Sequence, residues 1–525
     1  MKEIIKAHIQ KLSLQDKILV VMIFFYGIYV PADARFGLNI PVKPIFTCIG
    51  ILLMINSFYF SSDESQIKCL IGLSFIGMEL ILFAVPLLLL LKVILQAVNS
   101  KNVFKFKIWS WAMLLFFCFD LILLAVSNFY DFSFYTILFW FIIFGFGFLL
   151  FIHYSEKTYS EASAENIFTF FRRLIMLQLI ILPIQSLFHQ RFVPGDFWNG
   201  SFIDADKISF YLVLLLLFEF APSLFMKEKT AFKAAGIKKI FFLIAAAGAL
   251  IMCDAKIKVA LIFISLFLFS VFYLINKLFA SAKLLSFNKV FLFALLFILS
   301  SGILLAAANL YLLYISNKKV SIAGTFEKYT IRPDTTGIKY GINGKYLVYK
   351  NVYSDLYDDN FSKWFWGIGP GKFGSRTSNM LAYDVFYKEK GQFKLPDAIP
   401  AYSSYEVKKY MKGMWTKQKA EYVKYISSNL SIPVGGWITI KAERGIPGIL
   451  FYFVLQFILS FYLVRKASEI SSNVLRKWSL VLGIFWIALP MLMIIDNIQE
   501  KPQMMYPMYL LTACLLGIIS FRKIT

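Results

Sequence analysis

The chain alternates between long apolar runs and short polar connections along most of its 525 residues. A helix needs about 20 apolar residues to cross a bilayer, and runs of roughly that length recur throughout the sequence. The candidate runs are 18–32, 43–60, 68–97, 107–127, 132–153, 172–189, 208–226, 238–253, 257–276, 289–315, 437–464, 478–495 and 504–521. The pattern predicts an all-α polytopic membrane protein with about 12–14 transmembrane helices.

One long polar segment interrupts this pattern. It divides the chain into an N-terminal transmembrane bundle of about ten spans at 1–316, a large loop at 317–436 and a C-terminal three-helix part at 437–525. The loop is basic, with 19 lysines and arginines against 10 acidic residues over 317–435, and it is rich in aromatic residues. Aromatic rings beside polar groups favour sugar stacking or a position at the membrane interface. We expect this loop to be partly helical.

Basic residues in the short connections predict which side of the membrane each connection faces. They crowd the connections at 227–239, 277–289 and 465–477 and the end of the chain at 522–523. Cytoplasmic connections carry such an excess, so we expect the large loop on the outer side. The lysines before residue 18 also indicate a cytoplasmic N-terminus, which conflicts with the span count. Two short helices or a re-entrant segment within 68–97 would remove the conflict.

Composition supports the membrane class. Hydrophobic residues make up 59% of the chain, and the mean hydropathy is +0.68. The formal charge of +23 therefore concerns topology and anionic lipids or ligands, and nucleic acid is not an expected partner. The five cysteines lie in or beside apolar runs and the three histidines are scattered, so the sequence predicts no disulfide framework, no metal site and no cofactor.

A glycine-rich stretch at the centre of the large loop is a candidate anion site. It reads FWGIGPGKFGSR, with Gly369 and Gly371 beside Lys372 and Arg376. Glycines let backbone N–H groups turn towards an anion, and the two cations add charge. The stretch is not a P-loop, because it lacks the required glycine and the following Ser or Thr. A tight structural connector is the alternative interpretation.

The start of the helix after the loop is the second candidate. Lys441, Glu443 and Arg444 stand at the mouth of an apolar run, where charged residues usually face a cavity, a partner or water. Pro447 follows and is expected to bend the helix. A kinked helix start with interfacial charges is the alternative.

Three further cations are expected at the same outer surface by the span count. Arg191 lies in the connection at 190–207, while Lys256 and Lys258 lie in or beside a very short one. Paired cations suit a diphosphate, which a single point charge holds less specifically. A lipid-linked diphosphate presents its head group at that depth.

Four short stretches resemble, in order, motifs of the O-antigen ligase and O-antigen polymerase superfamily, a bacterial polysaccharide polymerase-like family. They are GSFIDADKISFYL (200–212), DAK (254–256), GIGPGKF (367–373) and AERGIPG (442–448). They resemble the family's Gly-Thr-Phe loop, its outer Ser-Arg turn, its Gly-x-Gly-x-Gly-x-Phe element and its Glu-x-Gly-x-x-Gly helix start. The resemblance covers roughly residues 170–465, and residues 1–170 match only as generic spans.

The resemblance implies a polymerase-type glycosyltransferase. Such an enzyme joins undecaprenyl-diphosphate-linked oligosaccharide repeat units at the outer face of the bacterial inner membrane, for O-antigen, capsule or exopolysaccharide. The implied reaction is metal-independent and faces the periplasm. The implied partners are the lipid-linked glycan donor, a glycan acceptor and membrane lipid, together with a chain-length regulator and a flippase.

The resemblance and the cation set together assign roles to individual residues. Arg191, Lys256 and Arg444 would stabilise the charge on the departing diphosphate. The residues expected to bind the diphosphate or the rest of the substrate are Lys258, Lys372, Arg376, Lys441, Gly369 and Gly371. Glu443 is the first candidate for a catalytic base, and a structural salt bridge is its alternative role.

One departure from the family pattern bears on the reaction. Ligases of the superfamily usually carry a His-Asn pair before the glutamate, and here those positions hold Val434 and Gly435. This favours the polymerase over an O-antigen ligase that transfers the glycan to lipid A-core or another acceptor. A lipid-linked oligosaccharide flippase or other transporter is a further alternative, although no internal repeat is visible. A binding or assembly subunit that catalyses no reaction is the third alternative.

Overall fold

The computed structural model of the chain is helical, with turns and connections and no strand among the residues that it describes. Those residues are 12–38, 40–76, 82, 84–89, 91–92, 107–128, 133–189, 198–202, 205–225, 237–253, 356–357, 360–382, 401–411, 435–493 and 497–521. Short 3₁₀ or π turns lie at Val407–Met411, Ala467–Glu469 and Ile498–Glu500. The helices are α1 (Leu14–Phe36), α2 (Val42–Phe60), α3 (Asp63–Ser74), α4 (Ile108–Asn128), α5 (Phe134–Ser155, with a π turn at Phe141–Gly145), α6 (Glu161–His189), α7 (Ala205–Phe225), α8 (Ile237–Met252), α9 (Phe361–Trp366), α10 (Arg376–Leu381), α11 (Gly436–Lys466), α12 (Asn473–Leu492) and α13 (Pro502–Phe521).

Local sequence sets several of these helix boundaries. Ser13, Ser62 and Ser133 precede α1, α3 and α5, and each side-chain oxygen accepts a hydrogen bond from the backbone N–H three residues later. Such caps satisfy an N–H group that has no partner inside the helix. At its other end α1 stops at Gly37, whose φ of 61° is a left-handed conformation that glycine adopts without a steric cost.

Seven helices in the described part of the chain are long and apolar enough to cross a membrane: α1, α2, α4, α5, α6, α11 and α13. They have the character of a multi-pass membrane protein, as the apolar runs predict. α13 is the central helix, because its whole span is buried against neighbours that include α5 and α3. α11 lies at the periphery, and Leu450, Phe453 and Phe457 on its outer face are exposed.

Polar contacts near helix ends divide the bundle into two ends. At the first, Gln15 donates to the carbonyl of Ser65 (2.8 Å), Ser163 donates to Glu64 (2.7 Å), and the start of α6 accepts hydrogen bonds from 471–472. We call this the basal end. It contains the start of α1 and the basic 465–477 connection, which agrees with the lysine pattern.

The opposite end holds the described parts of the large loop. Lys372 Nζ donates to the carbonyl of Ser127 near the end of α4 (2.6 Å), and Cys253 Sγ after α8 lies 3.4 Å from the carbonyl oxygen of Trp198. We call this the distal end. The start of α11 and the connection from α12 to α13 also lie here.

The 63–92 segment begins and returns at the basal end. Lys92 Nζ donates to Gln66 Oε1 (2.7 Å), and Gln66 lies in the first turn of α3. The hydroxyl of Tyr154, near the basal end of α5, also donates to Gln66 Oε1 (3.2 Å). These contacts fit both interpretations of the 68–97 run, two short helices or a re-entrant segment, because both place its two ends on the same side.

Candidate functional site

A break in α11 forms the centre of the distal end. Gly445 has φ 64° and ψ −155°, so the helix is interrupted there and resumes with Ile446. A Cβ atom at Gly445 would stand 1.8 Å from the carbonyl oxygen of Phe365, so glycine is required at this contact. The bend predicted from Pro447 therefore exists, but it is centred two residues earlier. Pro447 lies in the first turn of the second half, where a missing N–H is tolerated.

The glycine-rich turn, residues 367–376, donates hydrogen bonds to two carbonyl groups of α11 at the break. The carbonyl of Glu443 would normally accept from the N–H of Pro447, which proline lacks. It accepts instead from the N–H of Gly369 (3.0 Å), and the carbonyl of Ala442 accepts from the N–H of Ile368 (2.9 Å). The turn thus satisfies helical carbonyls that would otherwise be buried without partners.

The side chain of Glu443 also binds the glycine-rich turn, in addition to the contact made by its backbone carbonyl. It is fully buried, and its two carboxylate oxygens accept hydrogen bonds from the N–H groups of Gly371 and Phe373, each at 2.8 Å. The N–H group of Gly371, which we expected to face an external anion, therefore binds a protein carboxylate. Glu443 holds the turn in place, and its role as a catalytic base stays a prediction that this geometry does not favour.

Arg444 forms a buried ion pair with Asp120 of α4. Its Nε lies 2.8 and 2.9 Å from the two carboxylate oxygens of Asp120, and both side chains are almost completely buried. The guanidinium stacks 4.3 Å from the ring centre of Phe144, and Nη1 lies 3.7 Å from a Glu443 oxygen. Arg444 therefore joins α4, α5 and the break in α11, and its charge is already balanced inside the protein.

Lys441 differs from Arg444 in its surroundings. Its ammonium group is buried between the rings of Tyr357 and Trp364, each centred 4.5 Å away. It donates to the carbonyl of Trp364 (2.7 Å) and contacts the hydroxyl of Tyr357 (3.3 Å). No carboxylate in the described part of the chain pairs with it. A lysine has three donors, so one remains for an anionic partner.

The two cations of the glycine-rich turn make backbone contacts. Lys372 Nζ donates to the carbonyl of Ser127 at the C-terminal end of α4, where a positive charge is favoured by the helix dipole. The backbone N–H of Arg376 donates to the carboxylate of Glu500, and its Nη1 lies 3.5 Å from the carbonyl oxygen of Glu500. Lys372 is buried and Arg376 is partly exposed.

The 497–503 segment between α12 and α13 is a part of the site that the sequence analysis missed. Asn497 contacts Thr439 of α11 (3.1 Å) and donates to the carbonyl of Gly374 (3.0 Å), while Glu500 binds Arg376. Gln503 accepts from Lys207 Nζ, and its carbonyl accepts from the hydroxyl of Tyr211. The signal available in the sequence was a short polar connection, DNIQEKPQ, that the span count places on the same side as the large loop.

This segment connects three of the four stretches that carry the family resemblance. GIGPGKF and AERGIPG bind each other directly, and Asn497 contacts residues just outside them, Gly374 after the first and Thr439 before the second. GSFIDADKISFYL reaches the same segment through Gln503. The fourth stretch, 254–256, lies outside the described residues, but Cys253 immediately before it contacts Trp198, two residues before Gly200.

The structure places Glu443, Arg444, Lys441, Lys372 and the glycine-rich turn at the distal end. Arg191, Lys256 and Lys258 lie outside the described residues. Trp198, seven residues after Arg191, and Cys253, three residues before Lys256, are at the distal end.

A pH dependence of stability is expected from Glu500. Burial, together with the charge of nearby Glu443, raises the pKa of the Glu500 carboxyl to about 8 from a usual value of 4.5. The folded protein then binds more protons than the unfolded protein between these two values, so its stability falls as the pH rises through this interval. We expect the melting temperature in detergent to fall between about pH 5 and about pH 8, and Glu500→Gln to flatten the profile.

The matched control for this prediction is Glu469→Gln, which changes an exposed carboxylate at the basal end. It should leave the pH profile of the wild-type protein intact. An unchanged slope in Glu500→Gln would show that another group causes the dependence.

Comparison with known protein families, with curated proteins and with solved structures gives no match to this chain.

Proposed function

We propose that this chain is a polymerase-type glycosyltransferase that joins oligosaccharide repeat units carried on undecaprenyl diphosphate. In this proposal it works in the bacterial inner membrane with its site at the distal end, facing the periplasm. The observation that carries the proposal is the convergence of three motif stretches on one end of the bundle, although the first and the last are separated by 229 residues in the chain. Direct hydrogen bonds join two of these stretches, and the third reaches them through 497–503.

Lys441 is the described cation best suited to receive the diphosphate. Arg444 has Asp120 as its partner, whereas the described residues around the charge of Lys441 provide two rings, a hydroxyl and a carbonyl. A phosphate oxygen would complete its hydrogen bonds with the strength of a charge-assisted contact. Glu443 and Arg444 act in this proposal as positioning residues that hold the turn beside Lys441.

In the proposed reaction an acceptor hydroxyl attacks the anomeric carbon of the donor glycan. The new carbon–oxygen bond forms as the bond to the diphosphate oxygen breaks, and the electron pair leaves with the diphosphate. The proton of the hydroxyl passes to the released diphosphate or to water. Cations fixed in a largely dry site stabilise the leaving group more strongly than they would in water. Arg191 and Lys256 are proposed to assist Lys441 in this role.

The test is the length of lipid-linked glycans in cells that carry Lys441→Met in place of the wild-type protein. Methionine keeps the bulk of the side chain between the two rings but removes its charge. We expect single repeat units to accumulate on the carrier at the outer face, and the same result with Arg191→Ala and Lys256→Ala.

The matched control is Lys363→Met, because Lys363 is an exposed lysine of α9 near the same site. It should preserve the long chains. Units retained on the inner face would indicate a flippase, and unchanged chain lengths in all three variants, at normal protein levels, would refute the proposed function.

A further inference from the structure

The side chain of Gln499 is buried at the start of α11 without hydrogen bonds. It is 3% exposed, and neither Oε1 nor Nε2 has a partner among the described residues. Exchanging the two amide atoms would not help, since both positions are unpaired. A buried amide without partners costs free energy, so such a group in a native protein requires an explanation.

The amide lies directly against the N-terminus of α11. A Cβ atom at Gly436 would stand 2.5 Å from Gln499 Oε1 and 2.9 Å from Nε2, so the contact exists only because residue 436 is glycine. The preceding residue, Gly435, provides no side-chain cap for the helix. The start of α11, whose first half runs from Gly436 to the break at Gly445, and an unpaired amide therefore face each other.

The chemistry of these groups selects the ligand. An anion only accepts hydrogen bonds, so it would satisfy Nε2 and leave Oε1 without a donor. A hydroxyl group both donates and accepts, and a pair of neighbouring sugar hydroxyls could satisfy both atoms of the amide. The N–H groups of Trp437 and Thr439 already donate to the carbonyls of Met493 (3.3 Å) and Gly435 (3.1 Å), and the positive end of the helix dipole favours the oxygen of such a hydroxyl.

We propose that Gln499 and the N-terminus of α11 bind hydroxyl groups of a sugar. This inference deepens the proposed function and rests on it for the identity of the sugar as part of the glycan substrate. Gln499 would then fix the position of a glycan unit beside the diphosphate held at Lys441. Glu500, the next residue in the chain, accepts a hydrogen bond from the backbone N–H of Arg376.

The test compares Gln499→Met with Gln503→Met in the full-length protein in detergent. Gln503 is the matched control, because it is also buried and glutamine but its amide is paired with Lys207 and with the carbonyl of Ile76. Removing an unpaired amide should raise the melting temperature by about 2 °C, whereas removing the paired amide should lower it. A structural role for Gln499 would lower it in both variants.

The binding readout uses neutral hexoses and N-acetylhexosamines, with pyrophosphate as the anion probe. We expect at least one sugar to raise the melting temperature of the wild-type protein and of Lys441→Met, and Gln499→Met to abolish this shift. A Gln499-dependent shift with pyrophosphate alone, no shift with any sugar, or an unchanged sugar shift in Gln499→Met would overturn the inference. Sugar binding lost in Gln499→Met, while Lys441→Met, Arg191→Ala and Lys256→Ala all leave glycan lengths unchanged, would sustain this site and refute the proposed function.

Discussion

Replacing Gly445 with alanine is expected to detach the glycine-rich turn from α11 and to destabilise the protein severely. The backbone conformation of Gly445 (φ 64°, ψ −155°) is essentially restricted to glycine, and this alone costs an alanine about 1–3 kcal/mol. The new Cβ would also meet the carbonyl oxygen of Phe365 at 1.8 Å, and the backbone on both sides must move apart. We expect a total loss above about 4 kcal/mol, measured as a lower melting temperature and faster proteolysis within residues 360–382.

Two glycines of the same chain provide the controls. Gly37 also has a positive φ but open space around its Cβ position, so Gly37→Ala should lose only the conformational part, about 1–2 kcal/mol. Gly248 lies inside α8 with open space, and Gly248→Ala should be neutral or stabilising by up to about 1 kcal/mol. Equal melting temperatures for Gly445→Ala and Gly37→Ala would contradict the described contact between the turn and α11.

Breaking the ion pair between Arg444 and Asp120 is expected to have the second large effect. Either Arg444→Met or Asp120→Leu leaves one charge buried without its partner, which typically costs about 3–5 kcal/mol. The double variant removes both charges, and we expect it to recover most of that loss. The measurement is a double-mutant cycle from melting temperatures of the four proteins in detergent.

The matched control is Lys466→Met, which removes one partner of the Lys466–Glu469 ion pair at the basal end. Glu469 is half exposed there, so we expect a loss below about 1 kcal/mol. Additive losses in the two single variants and the double variant would mean that Arg444 and Asp120 do not stabilise each other.

The sequence predicts the helical class and the apolar helices of the bundle, because apolar runs are local signals. The basic 465–477 connection lies at the same end as the start of α1, as the lysine pattern predicts. Pro447 also signals a carbonyl without its helical partner. These features depend on residues within one turn of each other, which is why they are visible before the fold is known.

The partners of the charged residues are not visible in the sequence. Asp120 and Arg444 are 324 residues apart, and either could have faced a cavity, lipid or another helix. The same holds for Glu443. Its carboxylate accepts hydrogen bonds from the N–H groups of Gly371 and Phe373, whereas the glycine pattern indicates only that such groups can bind an anion. Glu500 and Gln499 were missed because a short polar connection carries no periodic pattern and no motif.

The central proposal is that a lipid diphosphate binds at Lys441, beside the turn that Glu443 holds in place. Its most direct test is native mass spectrometry of the purified protein with undecaprenyl diphosphate, compared with the monophosphate. We expect the wild-type protein and Lys363→Met to retain the diphosphate in preference to the monophosphate. Lys441→Met should bind the diphosphate about tenfold more weakly or worse. Equal retention of the diphosphate by the wild-type protein and Lys441→Met would contradict it.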